Sequence, residues 1–404
     1  MGGIPGGMTE CLPKLERSRA MTKAKLIYCC RGGVSSGHID RALALVEELS
    51  DHFHVTVLLD DSIPRPVTAP VKATLIFLPT PESAERRSVM LNTVAEIAPR
   101  VLMIEDFPFY GQQSKEEFLP LIQLVRVNAH EESLVVSVTD GVLATDDPEE
   151  ESTSDITADV LQRYFDMVVV QSDPVFARLE EFFQPNGTLV TPIFHTGFVA
   201  PLGQIGRSAG NIASGGILVS AGDGQNGGAL FRAAIEAHGI LWHTLPLPMT
   251  IVAGRRLPAA EWRKLMSSAD GSLALTLTRT VPDLRTAVAN ARLSVSQCGY
   301  NSTVNAIAEA TPSLFIPHID SRSREELIRA QRLVYWGAGR LMMPQLLNGA
   351  SLANEIHQFA KFERRELTFD MEGAGNAAHL ISEVVYQNNY APGQWRPLSN
   401  TQRH

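Results

Sequence analysis

Long apolar runs are missing from this chain of 404 residues; nothing approaches the roughly 18 consecutive apolar residues of a membrane-crossing helix. Residues 1–21 also lack the apolar core of a secretory signal, so they read as a loose leader, and cytoplasmic is the default location. Cysteine is scarce. Cys11, Cys29, Cys30 and Cys298 are the four present, and they show no metal-ligand spacing. Cys29 and Cys30 sit in one strand-like run, where adjacent side chains face opposite ways, and they read as reduced packing residues. No Asp-x-Asp occurs, so no metal clamp of that type is indicated. No basic stripe with interleaved aromatics occurs either, which argues against nucleic acid as a partner. Internal repeats are absent beyond a shared rhythm of elements.

What remains is an ordinary globular composition, 44% hydrophobic and 20% charged. The length suits two domains of about 180 residues each. Charge is divided unevenly: residues 1–200 sum to −13 and residues 201–404 to +4, for a total of −9. An anionic ligand such as a nucleotide sugar would favour the second half. Solubility alone accounts for the asymmetry equally well.

Strands and helices alternate in two series. KLIYCC, HVTVLL, ATLIFL, RVLMIE, SLVVSV, MVVVQS and VTPIFH are short apolar runs without polar alternation, the pattern of strands buried on both faces. Helical stretches such as IDRALALVEEL and KEEFLPLIQLVRV lie between them. The Gly/Ala/Ser-rich stretch around 201–213 reads as a linker. GILVSAGD, MTIVAG, LALTLT, LSVSQ, SLFIPH and GRLMMP then form a second series. The expected class is α/β, with two doubly wound Rossmann-like domains facing across a cleft. The expected boundaries are 22–200 and 214–385, with a tail at 386–404.

Turns at strand ends carry the chemistry. Leu293–Ser296 is a buried strand, Gly299 permits a sharp exit, and Asn301, Ser302 and Thr303 can cap the helix that runs to Glu309. Such a helix start offers free N–H groups and a positive dipole end to a phosphate or diphosphate. Many α/β proteins carry one for packing alone. In the first half, Arg31-Gly32-Gly33-Val34-Ser35-Ser36-Gly37-His38 opens a helix, and histidine titrates near neutral pH. Asp106 and Asp140 end the fourth and fifth strands. Either could orient His38 or accept from a substrate hydroxyl, and either could equally cap its own loop. Phe107 and Phe109 could stack on an acceptor, with core packing as the plainer reading. Ser220-Ala221-Gly222-Asp223-Gly224 would let backbone approach a donor, or serve only as a flexible strand-to-helix loop. Asp223 beside a diphosphate would be unfavourable, so it is expected to point away or to touch a sugar hydroxyl. His195 and His318 are second-rank candidates at strand ends. The acidic run 145–152 reads as a solvated loop.

VSQCGYNST, PSLFIP, EELIRAQRL and Gly337-Ala338-Gly339 together resemble the donor half of family 28 glycosyltransferases, which have the GT-B fold. Gly37-His38 with Arg41-Ala42 resembles the acceptor loop of the same superfamily. The resemblance runs from about Lys25 to Phe359. It implies that Gly299, Tyr300, Asn301, Ser302 and Thr303 hold the donor diphosphate, with Gly222 and Gly224 nearby. It further implies that Val281 flanks the nucleobase, that Glu326 and Arg329 reach the ribose or sugar, and that Ser36 and Gly37 line the acceptor side. Two positions depart from the pattern: Asn305 stands where an acidic residue is usual, and Glu326 where glutamine is frequent. The implied activity is an inverting, metal-independent transfer from a UDP-sugar, with His38 as general base and no cofactor. The negative first half favours a neutral or cationic acceptor over a polyprenyl diphosphate. A nucleotide-sugar 2-epimerase and a non-catalytic partner subunit are the alternatives.

Overall fold

The computed structural model describes residues 22–30, 36–60, 72–79, 83–110, 115–129, 133–143, 150–201, 215–319, 324–359 and 362–387. The leader, all but the first residue of the linker at 201–213, residues 31–35 of the glycine turn and most of the acidic run lie outside the described residues.

Seven strands form the first sheet: β1 (Lys25–Cys29), β2 (His54–Asp60), β3 (Thr74–Leu78), β4 (Val101–Glu105), β5 (Leu134–Thr139), β6 (Met167–Val170) and β7 (Ile193–His195). Their order is β3-β2-β1-β4-β5-β6-β7, and every pairing is parallel. The order reverses beside β1, which opens a crevice at the strand ends next to β4. Helices α1 (Ser36–His52), α2 (Ala84–Ile97), α3 (Lys115–Ala129) and α4 (Glu150–Tyr164) make the crossovers.

Both faces of this sheet are buried, as the unalternating strands require. Leu26, Tyr28 and Cys30 pack on the α1 side, while Ile27 and Cys29 pack on the α2–α3 side. The two adjacent cysteines thus face opposite ways as free thiols.

The second sheet has six parallel strands in the order β10-β9-β8-β11-β12-β13. They are β8 (Ile217–Ser220), β9 (Met249–Val252), β10 (Leu275–Thr278), β11 (Leu293–Ser296), β12 (Ser313–Phe315) and β13 (Gly339–Leu341). Here α5 (Gly228–Leu241), α6 (Ala259–Ala269), α7 (Leu284–Asn290), α8 (Tyr300–Ala308), α9 (Glu325–Trp336) and α10 (Gly349–Phe359) surround it.

One expected boundary shifts. The last helix, α11 (Gly373–Gln387), begins within the stretch assigned to the second domain and ends two residues past it, yet it packs on α1. Ala377, Leu380, Ile381 and Val385 join the core of the first domain, and Tyr386 stacks on Phe53 at 5.6 Å. The chain returns beside its outgoing segment: Phe198 N donates to Asp370 O (2.7 Å), and Gly373 N donates to Phe198 O (2.9 Å). Residues 373–389 read in the sequence as a final helix, and the family resemblance implies that such terminal helices cross back onto the first domain, as α11 does. It is the boundary drawn at 385 that set it with the second.

Candidate functional site

β4 ends in Glu105, and Asp106 follows with φ +59°, a left-handed conformation that Asp tolerates better than most residues. This bend holds both carboxylates at the carboxyl end of the sheet, facing the first turn of α1. His38 Nδ1 lies 3.3 Å from Glu105 Oε1 and 3.7 Å from Asp106 Oδ2. Arg41, one turn along α1, is on the same helix face. Its Nη2 lies 2.8 Å from Glu105 Oε1 and 2.9 Å from His38 Nδ1, and its Nη1 lies 3.3 Å from Asp140 Oδ2. The guanidinium also lies 4.6 Å from the centroid of the Tyr300 ring, contributed by the second domain.

Burial pushes the Glu105 carboxyl up, but the hydrogen bonds and charges of His38 and Arg41 outweigh it and hold the group well below the usual range. Asp140 follows the same logic: burial raises it, and Arg329 with Arg41 brings it below the usual carboxylate range. Arg329 Nη2 reaches Asp140 Oδ2 at 3.0 Å and Glu325 Oε2 at 3.3 Å. Tyr110 of the first domain donates its hydroxyl to Glu325. Burial and the nearby Asp140 and Asp106 raise Glu325 against the pull of Arg329 and Tyr110. A chain of paired charges therefore crosses the cleft from α1 to α9.

His38, Glu105 and Asp106 could geometrically hold a cation, since their ligand atoms lie within 4.8 Å of one another. The guanidinium of Arg41 already stands against two of these three groups, so a second cation there would face direct repulsion.

For several expected residues the structure decides between the readings that the sequence left open. Asp140 does not orient His38; it joins Arg41 to Arg329. Phe107 packs between Phe118 and Phe165 in the core, and Phe109 makes an edge contact with Phe183, which is the plainer of their two readings, so neither serves as an open stacking platform. The strand-end position that suggested a site is also where the sheet's hydrophobic layer continues.

Helix α8 starts at Tyr300 with Gly299 as a cap that has no side-chain bond, rather than the polar cap expected from Asn301 to Thr303. Thr303 Oγ1 turns back to Gly299 O (3.1 Å). The Tyr300 hydroxyl donates to Gln171 O and accepts from Val199 N, each at 2.8 Å, so that side chain joins the domains rather than facing a diphosphate. Asn301 Nδ2 is 3.5 Å from Gly37 O, which sets the α8 start directly against the His38 turn. The N–H groups of residues 300–302 occupy the first turn, where a helix has no acceptor of its own.

Ser302 and Asn305 line a small cavity beneath α8 with Ser220, Ser294, Ser296 and Ser313, and Asn305 is buried. Asn305 therefore does not reach out to a sugar. Arg329 is likewise committed to carboxylates, and Glu326 accepts from His318 N at 2.7 Å beside Gly299. Val281 packs over α7 with Leu218 and Val288, at the end of β10. Gly222 (φ +55°) has open space where a Cβ would be, whereas a Cβ on Gly224 would lie 1.8 Å from Ala253 O. Asp223 points away, accepting from Gln225 N (3.0 Å) and pairing with Arg256 (3.3 Å). His195 pairs with Glu180 (3.0 Å) outside the His38 cluster. Ser36 is the first residue of α1, adjoining Gly37.

Sequence reading missed Glu105, Tyr110 and Glu325, and gave Arg41 no role. Glu105 had a usable signal, being the last residue of an apolar strand next to an aspartate.

Neither a protein-family model nor a curated protein matches the chain. Solved structures do. The calicheamicin glycosyltransferase CalG4 superposes with a TM-score of 0.61 at 17% identity, covering 92% of this chain and all of that one. A Listeria monocytogenes protein assigned as a UDP-N-acetylglucosamine 2-epimerase gives 0.62 at 14% identity, covering 91% and 98%. Phytolacca americana UGT2, complexed with UDP-2-fluoro-glucose and pterostilbene, gives 0.55 at 13% identity, covering 91% and 94%. These likenesses extend over both sheets, and the chain has the GT-B fold.

Proposed function

We propose that this chain is a glycosyltransferase that moves a sugar from a nucleotide diphosphate donor, UDP-linked, to an acceptor hydroxyl. The observation that carries the reading is the meeting of a carboxylate-held histidine with a helix start across the cleft: His38 beside Glu105, and Asn301 beside Gly37. His38 Nε2 takes the acceptor proton while Nδ1–H donates to Glu105, whose charge balances the imidazolium. The acceptor oxygen attacks the anomeric carbon from the face opposite the leaving group, giving inversion. Charge on the departing diphosphate falls on the N–H groups of residues 300–302 and the α8 dipole, without a metal. Gly222 supplies backbone clearance near the donor, and Val281 packs beside the base. The acceptor is neutral or cationic, and the protein acts in the cytoplasm; no described helix is long and apolar enough to cross a membrane.

The likeness to the Listeria protein favours one second reading, a nucleotide-sugar 2-epimerase. That activity would release UDP with no acceptor present. Calorimetry with UDP-, dTDP- and GDP-sugars, on wild type and Asn301→Ala, tests the donor site. One UDP-sugar should bind and weaken at least tenfold in the variant, a loss of about 1.4 kcal/mol. Binding to no member of the panel would sink the reading.

A further inference from the structure

We propose that Arg41 is a positioning residue that selects the tautomer of His38, and that Asp140, shared with Arg329, ties this choice to the second domain. Its catalytic meaning rests on His38 being the base of the proposed transfer; the tautomer itself does not.

A guanidinium carries only donors. Arg41 is 1% exposed, and its Nη2 stands 2.9 Å from His38 Nδ1 and 2.8 Å from Glu105 Oε1. For both Nη2 contacts to be hydrogen bonds, one Nη2 proton goes to the carboxylate and the other to the ring. Nδ1 must then hold its lone pair, so the neutral ring carries its proton on Nε2. An imidazole in that form has no lone pair at Nε2 for an acceptor hydroxyl. Working as a base requires the other tautomer, with Nδ1–H donating to Glu105 Oε1 at 3.3 Å. The exchange gives one proton to water from Nε2 and takes one from water at Nδ1, so it is balanced.

For this Arg41 must withdraw from Nδ1, and Asp140 is the place it can go. Nη1 already lies 3.3 Å from Asp140 Oδ2, and the same oxygen receives Arg329 Nη2 at 3.0 Å. Two guanidiniums from different domains compete for one carboxylate oxygen. While Arg329 holds Asp140, Arg41 is shared with His38; when Arg329 is drawn off, Asp140 is left to Arg41 and the fork swings away from the ring. Gln171 follows Val170, the register partner of Thr139, so it stands beside Asp140 in the sheet. Its amide is buried with neither polar atom hydrogen-bonded, and it is poised to receive a rearranged partner. The Arg41 guanidinium lies against the Tyr300 ring, 4.6 Å from its centroid.

The test is nitrogen NMR on the full chain with labelled histidine, assigning His38 by its loss in His38→Gln and recording the neutral ring. Wild type should show a protonated Nε2 and a bare Nδ1. Arg41→Met should exchange the two nitrogen shifts, and Arg329→Met should move them in the same direction. If Arg41→Met does not fold, Arg329→Met alone decides. A wild-type ring protonated on Nδ1, or variants that leave the shifts unchanged, overturns the proposal. These spectra need neither donor nor acceptor. An absence of sugar transfer alongside the expected tautomer sinks only the functional reading, and transfer with the opposite tautomer sinks only this one.

Discussion

Glu326 is a carboxylate half buried beneath the first turn of α8, and its proton is held unusually late. Burial pushes the group up to about 7, although the backbone N–H groups of His318 and Cys298 and the charge of Arg329 pull the other way. A carboxyl raised in the folded state contributes no penalty below its unfolded value. It costs stability progressively as pH rises from about 4.5 toward 7, and the cost is complete above that. Glu326→Gln removes this dependence. Urea midpoints should show the variant gaining on wild type between pH 4.5 and 7, by at most about 3 kcal/mol, and then running parallel to it. A difference that does not change with pH would show that the group ionises freely. At this scale sequence named His38 but not Glu105. The Gly-His turn is local, whereas the carboxylate that meets the ring comes from another strand, 67 residues away. Asp106 and Asp140 were the carboxylates foreseen, and only the docking of α1 decides which one stands nearest the imidazole.

Elements were more legible than residues. Strands buried on both faces announce themselves as apolar runs, and the thirteen strands among the described residues lie on the runs named above, although β10 and β11 alternate with Thr and Ser and β10 is only partly buried. Turns were harder, because a glycine that clears a ligand and one that clears a neighbouring loop have the same letter. The turn between β8 and α5 contains both kinds. Gly224 has φ +91° and abuts the Ala253 carbonyl, so its glycine is required by packing. Gly222 has φ +55° with nothing near its absent Cβ, so a ligand remains a reason for it. Gly224→Ala should lower stability by roughly 2–4 kcal/mol with or without nucleotide, from left-handed strain plus a forced shift of the β9 exit. Gly222→Ala should cost about 1 kcal/mol in thermal unfolding while weakening donor binding. Equal stability losses at the two positions would mean that the turn is a single packed unit.

Across the whole molecule, the two domains are joined by more than a chain crossing. Tyr300 bonds to Gln171 and Val199, Arg329 to Asp140, and Arg332 to Glu181 at 2.6 Å. α11 then returns to cover α1 from the far end of the sequence. Leu380→Ala removes a side chain that is 1% exposed between these helices and should cost about 2–4 kcal/mol. Hydrogen exchange is the informative readout: amides of residues 36–52 should speed up, though the substitution lies over 300 positions downstream. Faster exchange confined to residues 349–359 would place α11 with the second domain.

The two antiparallel stretches at 197–199 and 370–373 make the passage between domains a double crossing. Swapping one half of this protein for that of a relative therefore takes two splices, one in the outgoing stretch and one in the return. A chimera joined at a single point would carry a foreign helix over its α1, and the mismatch would fall on the helix that carries the histidine.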